Sequence, residues 1–498
     1  MLATAAIHAP GACVILDPKG DRDLLVRCAR EARNAHKPFA MLTPALPDRS
    51  ARINMLGTAT TPAEVSARIR ALMPSGGARG SDPFFEEYPL ALIERLATVQ
   101  ALLGQPWTLE GLYSVSVLRG RLEHLVRDYL THLYRRRPHP GPKDPPVARI
   151  QKLDDWIGVY RTYCPPELTA DALIDDLEKP RDHFTKVTSN LVPAFRGVVG
   201  NPYGPLFSQV NATLTWPHIA QQQTVVYVAL ASMLLGDIAN RIGRVILQDL
   251  VGYLGRRYAY EDLTTAPPIT VFIDELGDVV YPLFINALNK GRGAQARFIL
   301  AQQSLADPEA AMGPAQARRI FDNLNTRVWF RLADDRTAAE AVEGLGTCTV
   351  HLPETGVGLS YGGTGGLSGS SQRRLTAKET PLIRPTWLTA LPRGEAFARL
   401  KGELWKLQVP LLTPLTAPEV ADLGLMDLWQ GLDPAPRKDR DALPPGPTVP
   451  ALEAGEPVRL PPAPTPLSMP PADELLCDGD KGGGGSPHPV RAGEDDLP

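Results

Sequence analysis

The chain reads as an α/β protein built on a parallel sheet, with an all-α region inserted into it. Residues 12–16 (ACVIL), 224–230 (TVVYVAL), 269–273 (ITVFI) and 298–301 (FILA) are short, nearly continuous apolar runs, as expected of strands buried on both faces. Helical stretches separate them, which is the alternation of a parallel sheet with crossover connections. Residues 84–199 carry helical pattern with little strand signal and divide the α/β pattern in two.

Taken in order, residues 1–8 (MLATAAIH) look like the back half of a helix that Pro10-Gly11 ends. The first strand, 12–16, stops at Asp17-Pro18-Lys19-Gly20-Asp21, and residues 23–35 are helical again. A chain that opens with half a helix and no cap suggests that something stood before Met1. Residues 61–73 (TPAEVSARIRALM) form an amphipathic helix with Thr61 as cap and Pro62 in the first turn. Residues 74–82 (PSGGARGSD) read as a flexible loop. A break at 135–146 (RRRPHPGPKDPP) interrupts the helical region. The strand at 224–230 is followed by a helix over 236–257, then by the strands at 269–273 and 298–301. Residues 325–332 (NTRVWFRL) form a further strand and 335–343 a helix. Residues 344–371, rich in Gly, Ser and Thr, read as loop; 395–410 (EAFARLKGELWKLQVP) alternate as a hairpin does. Beyond about residue 433 roughly a quarter of the residues are proline and a KGGGGS element follows. Such a segment cannot bury enough apolar surface to offset its ordering entropy, and disorder is expected.

Composition narrows the function classes. The 498 residues leave room for two or three domains. A net charge of −3 means that nucleic-acid contact must come from local basic faces or from assembly into a ring. The five cysteines are scattered without CxxC spacing and the nine histidines without HExxH, which points to reduced thiols and away from a cysteine or histidine metal site. The longest apolar stretch, 225–235, is too short to span a bilayer.

The chemistry concentrates in residues 268–304 (PITVFIDELGDVVYPLFINALNKGRGAQARFILAQQS). One apolar strand ends in Asp274-Glu275, and the next, after a spacing typical of a βαβ unit, ends in Gln302-Gln303-Ser304. Phosphoryl transfer to water needs a metal near the phosphate oxygens and a positioned water. Asp274 can hold Mg²⁺ through water, Glu275 can orient the attacking water, and Gln303 can sense the γ-phosphate. Lys290-Gly291-Arg292-Gly293 lies between the two strands. It reads as a mobile glycine-flanked loop close to the catalytic edge, from which Arg292 can reach a neighbouring subunit's phosphate as an arginine finger. Asp17 and Lys19, at another strand end of the same sheet, can approach the nucleotide or an adjacent subunit. Nowhere does the chain contain GxxxxGK[ST], the loop that cradles phosphates.

The run VFIDELGDVVYPLFINALNKGRGAQARFILAQQSLAD, with FDNLNTRVWFRLADDRTAAEAVEGLG after it, resembles the TraD/TraG-type coupling proteins of conjugation and type IV secretion, and most of all the TraD branch of integrative conjugative elements. ACVILDPKGDRDLL, INMLGTATTPAEVSARIRALMPSG, TVVYVALASMLLGDIANRIGRVILQDLVGYLG and RPTWLTALPRGEAFARLKGELWKLQVPLL extend the likeness over about residues 1–412. The resemblance implies a RecA-like P-loop ATPase sheet, here missing its P-loop strand, with an inserted all-α domain. It further implies homohexameric rings at the cytoplasmic face of the bacterial inner membrane, which link the relaxase–DNA complex to the secretion channel proteins and pump single-stranded DNA with ATP and Mg²⁺. Asp274 and Glu275 match the Walker B pair, Gln303 the sensor glutamine, and Arg292 falls about where the arginine finger does.

The boundaries that follow are 1–83 for the first part of the nucleotide-binding domain, 84–200 for the all-α insertion, 201–415 for the second part and 433–498 for the tail. Against the family pattern, the membrane anchor and the phosphate loop are missing, and the absent strand is expected to be an inner one of the sheet. This reads as an incomplete copy with weak or no ATPase. The alternative is a non-catalytic adaptor that docks relaxosome or secretion components through its helical domain and tail. A third reading is a DNA pump of the chromosome-segregation kind. The DNA upstream of the start codon separates the first two.

Overall fold

The computed structural model describes residues 2–73, 84–137, 150–200, 202–343, 345–361, 367–410 and 412–423. The expected loop at 74–82, most of the break at 135–146 and the expected tail over 433–498 lie outside the described residues. The chain divides into two compact units, one formed by residues 1–324 with the returning segment from 411, the other by 325–410.

The first unit holds a five-stranded sheet of β1 (Ala12–Asp17), β2 (Phe39–Leu42), β3 (Val225–Ala229), β4 (Ile269–Ile273) and β5 (Ala296–Leu300), in the order β2-β3-β1-β4-β5. Every neighbouring pair is parallel. Strands of this kind are buried on both faces, and successive residues of β1 go to opposite sides. Val14 and Leu16 join Val226, Val228, Val271 and Ile273 in a core that continues into the helical region. Cys13 and Ile15 join Val225, Tyr227 and Phe272 under the helices Leu2–His8 and Arg22–Asn34. The buried Cys13 thiol is pushed up to about 12 by that burial. The strands pair without interruption from β2 to β5, and β1 pairs directly with both β3 and β4.

Two local devices set the amino-terminal edge of this sheet. Gly11 takes φ +92°, and a Cβ there would fall 1.8 Å from the Pro268 carbonyl oxygen, so only glycine lets the chain turn into β1. Lys37 donates to the carbonyls of Ile7 (2.7 Å), Ala9 (2.5 Å) and Gly11 (2.7 Å), closing the end of the first helix.

The expected helix after Thr61 spans Pro62–Leu72, and the Thr61 side chain accepts from the Glu64 N–H at 3.3 Å. Its Arg68 lies buried against Asp249 of the long helix Asp237–Tyr260 (Nε–Oδ1 2.7 Å). Trp216, whose indole N–H donates to the other oxygen of Asp249 (2.6 Å), and Thr58 complete that network. The helical region comprises Phe84–Leu102, Leu109–Val117, Arg119–Arg136, Leu153–Tyr163, Leu168–Glu178, Arg181–Val187 and Leu191–Phe195. Among the described residues no helix is long and apolar enough to cross a membrane.

In the second unit, β6 (Arg327–Trp329) pairs antiparallel with β9 (Glu395–Leu400), which pairs with β10 (Glu403–Gln408). The strand expected near 325–332 is therefore present but belongs to this separate sheet. The expected hairpin at 395–410 turns at Lys401 and Gly402, both at positive φ, the geometry a two-residue turn requires. Residues 344–371 were expected as loop. Instead β7 (Thr347–Tyr361) and β8 (Leu367–Pro381) pair as a two-stranded antiparallel ribbon. Turn-forming residues masked a β ladder whose register is carried by the backbone.

Candidate active site

The carboxyl-terminal tips of β1, β4 and β5 converge. In register, Leu16 pairs with Ile273 and Ile273 with Leu300, so the residues just beyond them, Asp17, Asp274 and the Gln302–Gln303 pair, emerge side by side. The Asp274 N–H donates to the Leu16 carbonyl (2.9 Å) and Leu276 N–H to the Ala301 carbonyl (3.0 Å), which extends both ladders to the tip. Between them Glu275 takes φ +46°, a left-handed conformation that costs a branched or long side chain about 1–2 kcal/mol. Its carboxylate accepts from the Lys19 ammonium and from the Gln303 amide on the same oxygen, Oε1. Glu275, Gln303 and Lys19, expected from sequence to serve one site, are thus brought together.

Asp274 is half-buried. Burial, then the neighbouring Asp17 and Glu275 charges, hold its carboxyl above the ordinary aspartate value, while Lys19 pulls it back. Asp278 is raised in the same way by burial and by Glu275 and Asp307. Lys19 is held above its usual value first by the hydrogen bond to Glu275 and also by the charges of Glu275, Asp274 and Asp17. An edge with this excess of carboxylate fits a hard divalent cation that carries its own water and phosphate oxygens. Among the described residues no group of three or more His, Cys, Asp or Glu is arranged to hold a metal directly. Asp274 fits as a ligand through water.

Two sequence expectations are corrected here. Asp17 does not face a ligand. It is fully buried, and its oxygens accept from the Lys19 N–H (3.0 Å), the Asp21 N–H (2.7 Å) and the Tyr227 hydroxyl. It fixes the turn that presents Lys19, because a buried carboxylate must be fully hydrogen-bonded. Arg292 is not close to the catalytic edge of its own chain. Ile269 N–H donates to the Gln295 carbonyl (3.1 Å) where β4 begins, and Arg292 precedes that point. A five-residue strand therefore separates it from Asp274, about 15 Å. Its glycines are not there for mobility either. A Cβ on Gly291 would fall 2.6 Å from the Ala287 carbonyl and 2.7 Å from the Phe298 ring, and one on Gly293 2.4 Å from the Tyr258 ring.

Sequence reasoning gave no role to three participants. Gln302 accepts from the Gly277 N–H (2.6 Å) and donates to Asp307 (3.0 Å), which ties the two loops beyond β4 and β5. Asp278 is four residues from Asp274 in the DELGD run and was legible there. The Tyr227 hydroxyl, in the middle of an apolar run, gave no signal.

Residues 268–393 match a family model described as the TraM recognition site of TraD and TraG. This bears out the TraD/TraG-type resemblance on the segment that carries Asp274, Glu275, Arg292 and Gln303. Among solved structures, the plasmid coupling protein TrwB in complex with the non-hydrolysable ATP analogue ADPNP is similar at 14% identity and TM-score 0.51, covering 83% of this chain and 88% of that one. A trigonal form of TrwB lacking its first 70 residues, in complex with sulphate, is similar at 13% identity and TM-score 0.50, covering 84% and 89%. The likeness is one of fold: a parallel α/β sheet with a helical domain, as in these TrwB structures. No curated protein matches the chain.

Proposed function

We propose that this TraD/TraG-type chain is the hydrolytic part of a conjugative coupling protein, an ATP-driven motor for single-stranded DNA that links a relaxosome to a type IV secretion channel. The observation that carries it is Glu275 hydrogen-bonded by Gln303, beside Asp274, at the tips of adjacent parallel strands. Bound Mg²⁺ and ATP would supply a polarised γ-phosphoryl group. Asp274 would hold the metal, Glu275 would orient the attacking water, and Gln303 fixes the Glu275 carboxylate. Arg292, at the far end of the strands, serves only a nucleotide bound by a neighbouring copy, which suits a homohexameric ring at the cytoplasmic face of the inner membrane.

The 498 residues contain no GxxxxGK[ST] nest of N–H groups, so this chain on its own turns over ATP slowly. The test is ATP hydrolysis by the purified chain with Mg²⁺ and single-stranded DNA. The residual turnover should fall by about 10²-fold in Glu275→Gln. Equal turnover in the two proteins overturns the reading. One observation favours the adaptor alternative: the matched family segment is described by what it recognises, TraM. DNA-independent binding of relaxosome protein, unaffected by Glu275→Gln, together with no turnover, would favour it.

A further inference from the structure

Lys19 is the charged group at this edge for which phosphate chemistry and the resting contacts pull in different directions. Its backbone is fixed: Asp17, itself buried, accepts its N–H, and Gly20 at φ +72° packs against the Ala231 backbone, where a Cβ would sit 3.2 Å from the Ala231 nitrogen. Its side chain is open to solvent, 46% exposed against 13% for Glu275. A long flexible stem on a rigid base is suited to exchange partners. In the resting chain the ammonium is spent on Glu275 Oε1, the oxygen that Gln303 also engages. An oxygen so occupied is a poor acceptor for a water O–H.

We propose that Lys19 is a positioning residue that locks Glu275 in a resting ion pair and is drawn off by the polyphosphate of an incoming nucleotide, leaving Glu275 held by Gln303 alone and open to water. The proposal rests on the nucleotide-site reading and adds its regulation. Polyphosphate presents several negative oxygens to one ammonium, more than the single carboxylate offers. Asp274 and Asp278, which also feel Lys19, lose that neutralisation as it leaves, and this favours arrival of the cation together with the phosphate. Both donors already meet the same Glu275 oxygen, so Gln303 is in place to hold it when Lys19 leaves.

The experiment is binding of inorganic tripolyphosphate, without metal, to the full chain, read by titration calorimetry, with thermal melting of each variant to verify folding. Glu275→Gln frees Lys19 and should tighten binding about fivefold or more. Lys19→Met should abolish binding, and Lys19→Arg should retain it. Binding that Glu275→Gln leaves unchanged, binding that Lys19→Met preserves, or no binding by either wild type or Glu275→Gln overturns the proposal. The parent reading fails separately: ATP turnover indifferent to Glu275→Gln, alongside Lys19-dependent tripolyphosphate binding, removes the hydrolytic role and leaves the ion-pair exchange standing.

Discussion

At their carboxyl ends, β4 and β5 finish in charged and amide side chains that satisfy one another across a strained backbone. At their amino ends the same strands are held by backbone hydrogen bonds and close steric fit, with glycines against a carbonyl and two aromatic rings. The lesson is that one pair of strands keeps its adaptable chemistry at one end and its rigidity at the other. Hydrogen-bonded side chains on half-exposed positions can change partners; a backbone pressed against Phe298 and Tyr258 cannot. Mutations should therefore divide by end, costing stability at one and function at the other.

The largest expected effect breaks that division on purpose. Asp17 sits at the functional end but is buried and satisfies three donors, so Asp17→Ala should cost about 2–4 kcal/mol in denaturant unfolding. Next, Gly291→Ala at the rigid end should cost about 1–3 kcal/mol, since its Cβ meets backbone on one side and a packed ring on the other. Glu275→Gly should do the reverse, raising stability by about 0.5–1 kcal/mol through relief of the left-handed conformation while removing turnover. Arg292→Ala should change stability by less than about 0.5 kcal/mol, because the side chain is exposed and the close packing belongs to its glycine neighbours.

pH sharpens the contrast further. The Asp274 carboxyl is raised by burial, so the folded chain binds its proton more readily than the unfolded chain does. Stability should rise as pH falls from neutrality into the window between its raised value and the ordinary 3.8. Asp274→Asn should be more stable than wild type at neutral pH, with the gain disappearing in acid. At the opposite edge Lys37 is lowered by burial, so its contribution runs the other way: stability should rise as pH rises from its depressed value towards 10.5. Urea melts of Asp274→Asn and Lys37→Met across pH check both signs.

Much of the first unit was legible because parallel strands buried on both faces leave unbroken apolar runs. ACVIL, ITVFI and the acidic and amide tips after ITVFI and FILA announced both the sheet and the side chains that meet at its carboxyl-terminal tips. The four residues of β2 escaped notice because a strand that short, between Pro38 and Pro44, looks like loop. The β7–β8 ribbon escaped because glycine and serine conceal a ladder made by the backbone. The position of Arg292 was misread because sequence proximity to Asp274 was taken for spatial proximity, when an intervening strand sets the two at opposite ends. Lys19 and Asp17 were both found, but whether each faces outward or inward depends on Tyr227, some two hundred residues away, and no local pattern encodes that.

The most direct test of the working edge is Mg²⁺-dependent binding of a fluorescent, non-hydrolysable ATP analogue, followed by anisotropy in wild type and Asp274→Asn. Binding that requires Mg²⁺ in the wild type and weakens about tenfold or more in the variant is the predicted result. Binding that is indifferent both to Mg²⁺ and to Asp274→Asn would contradict the account.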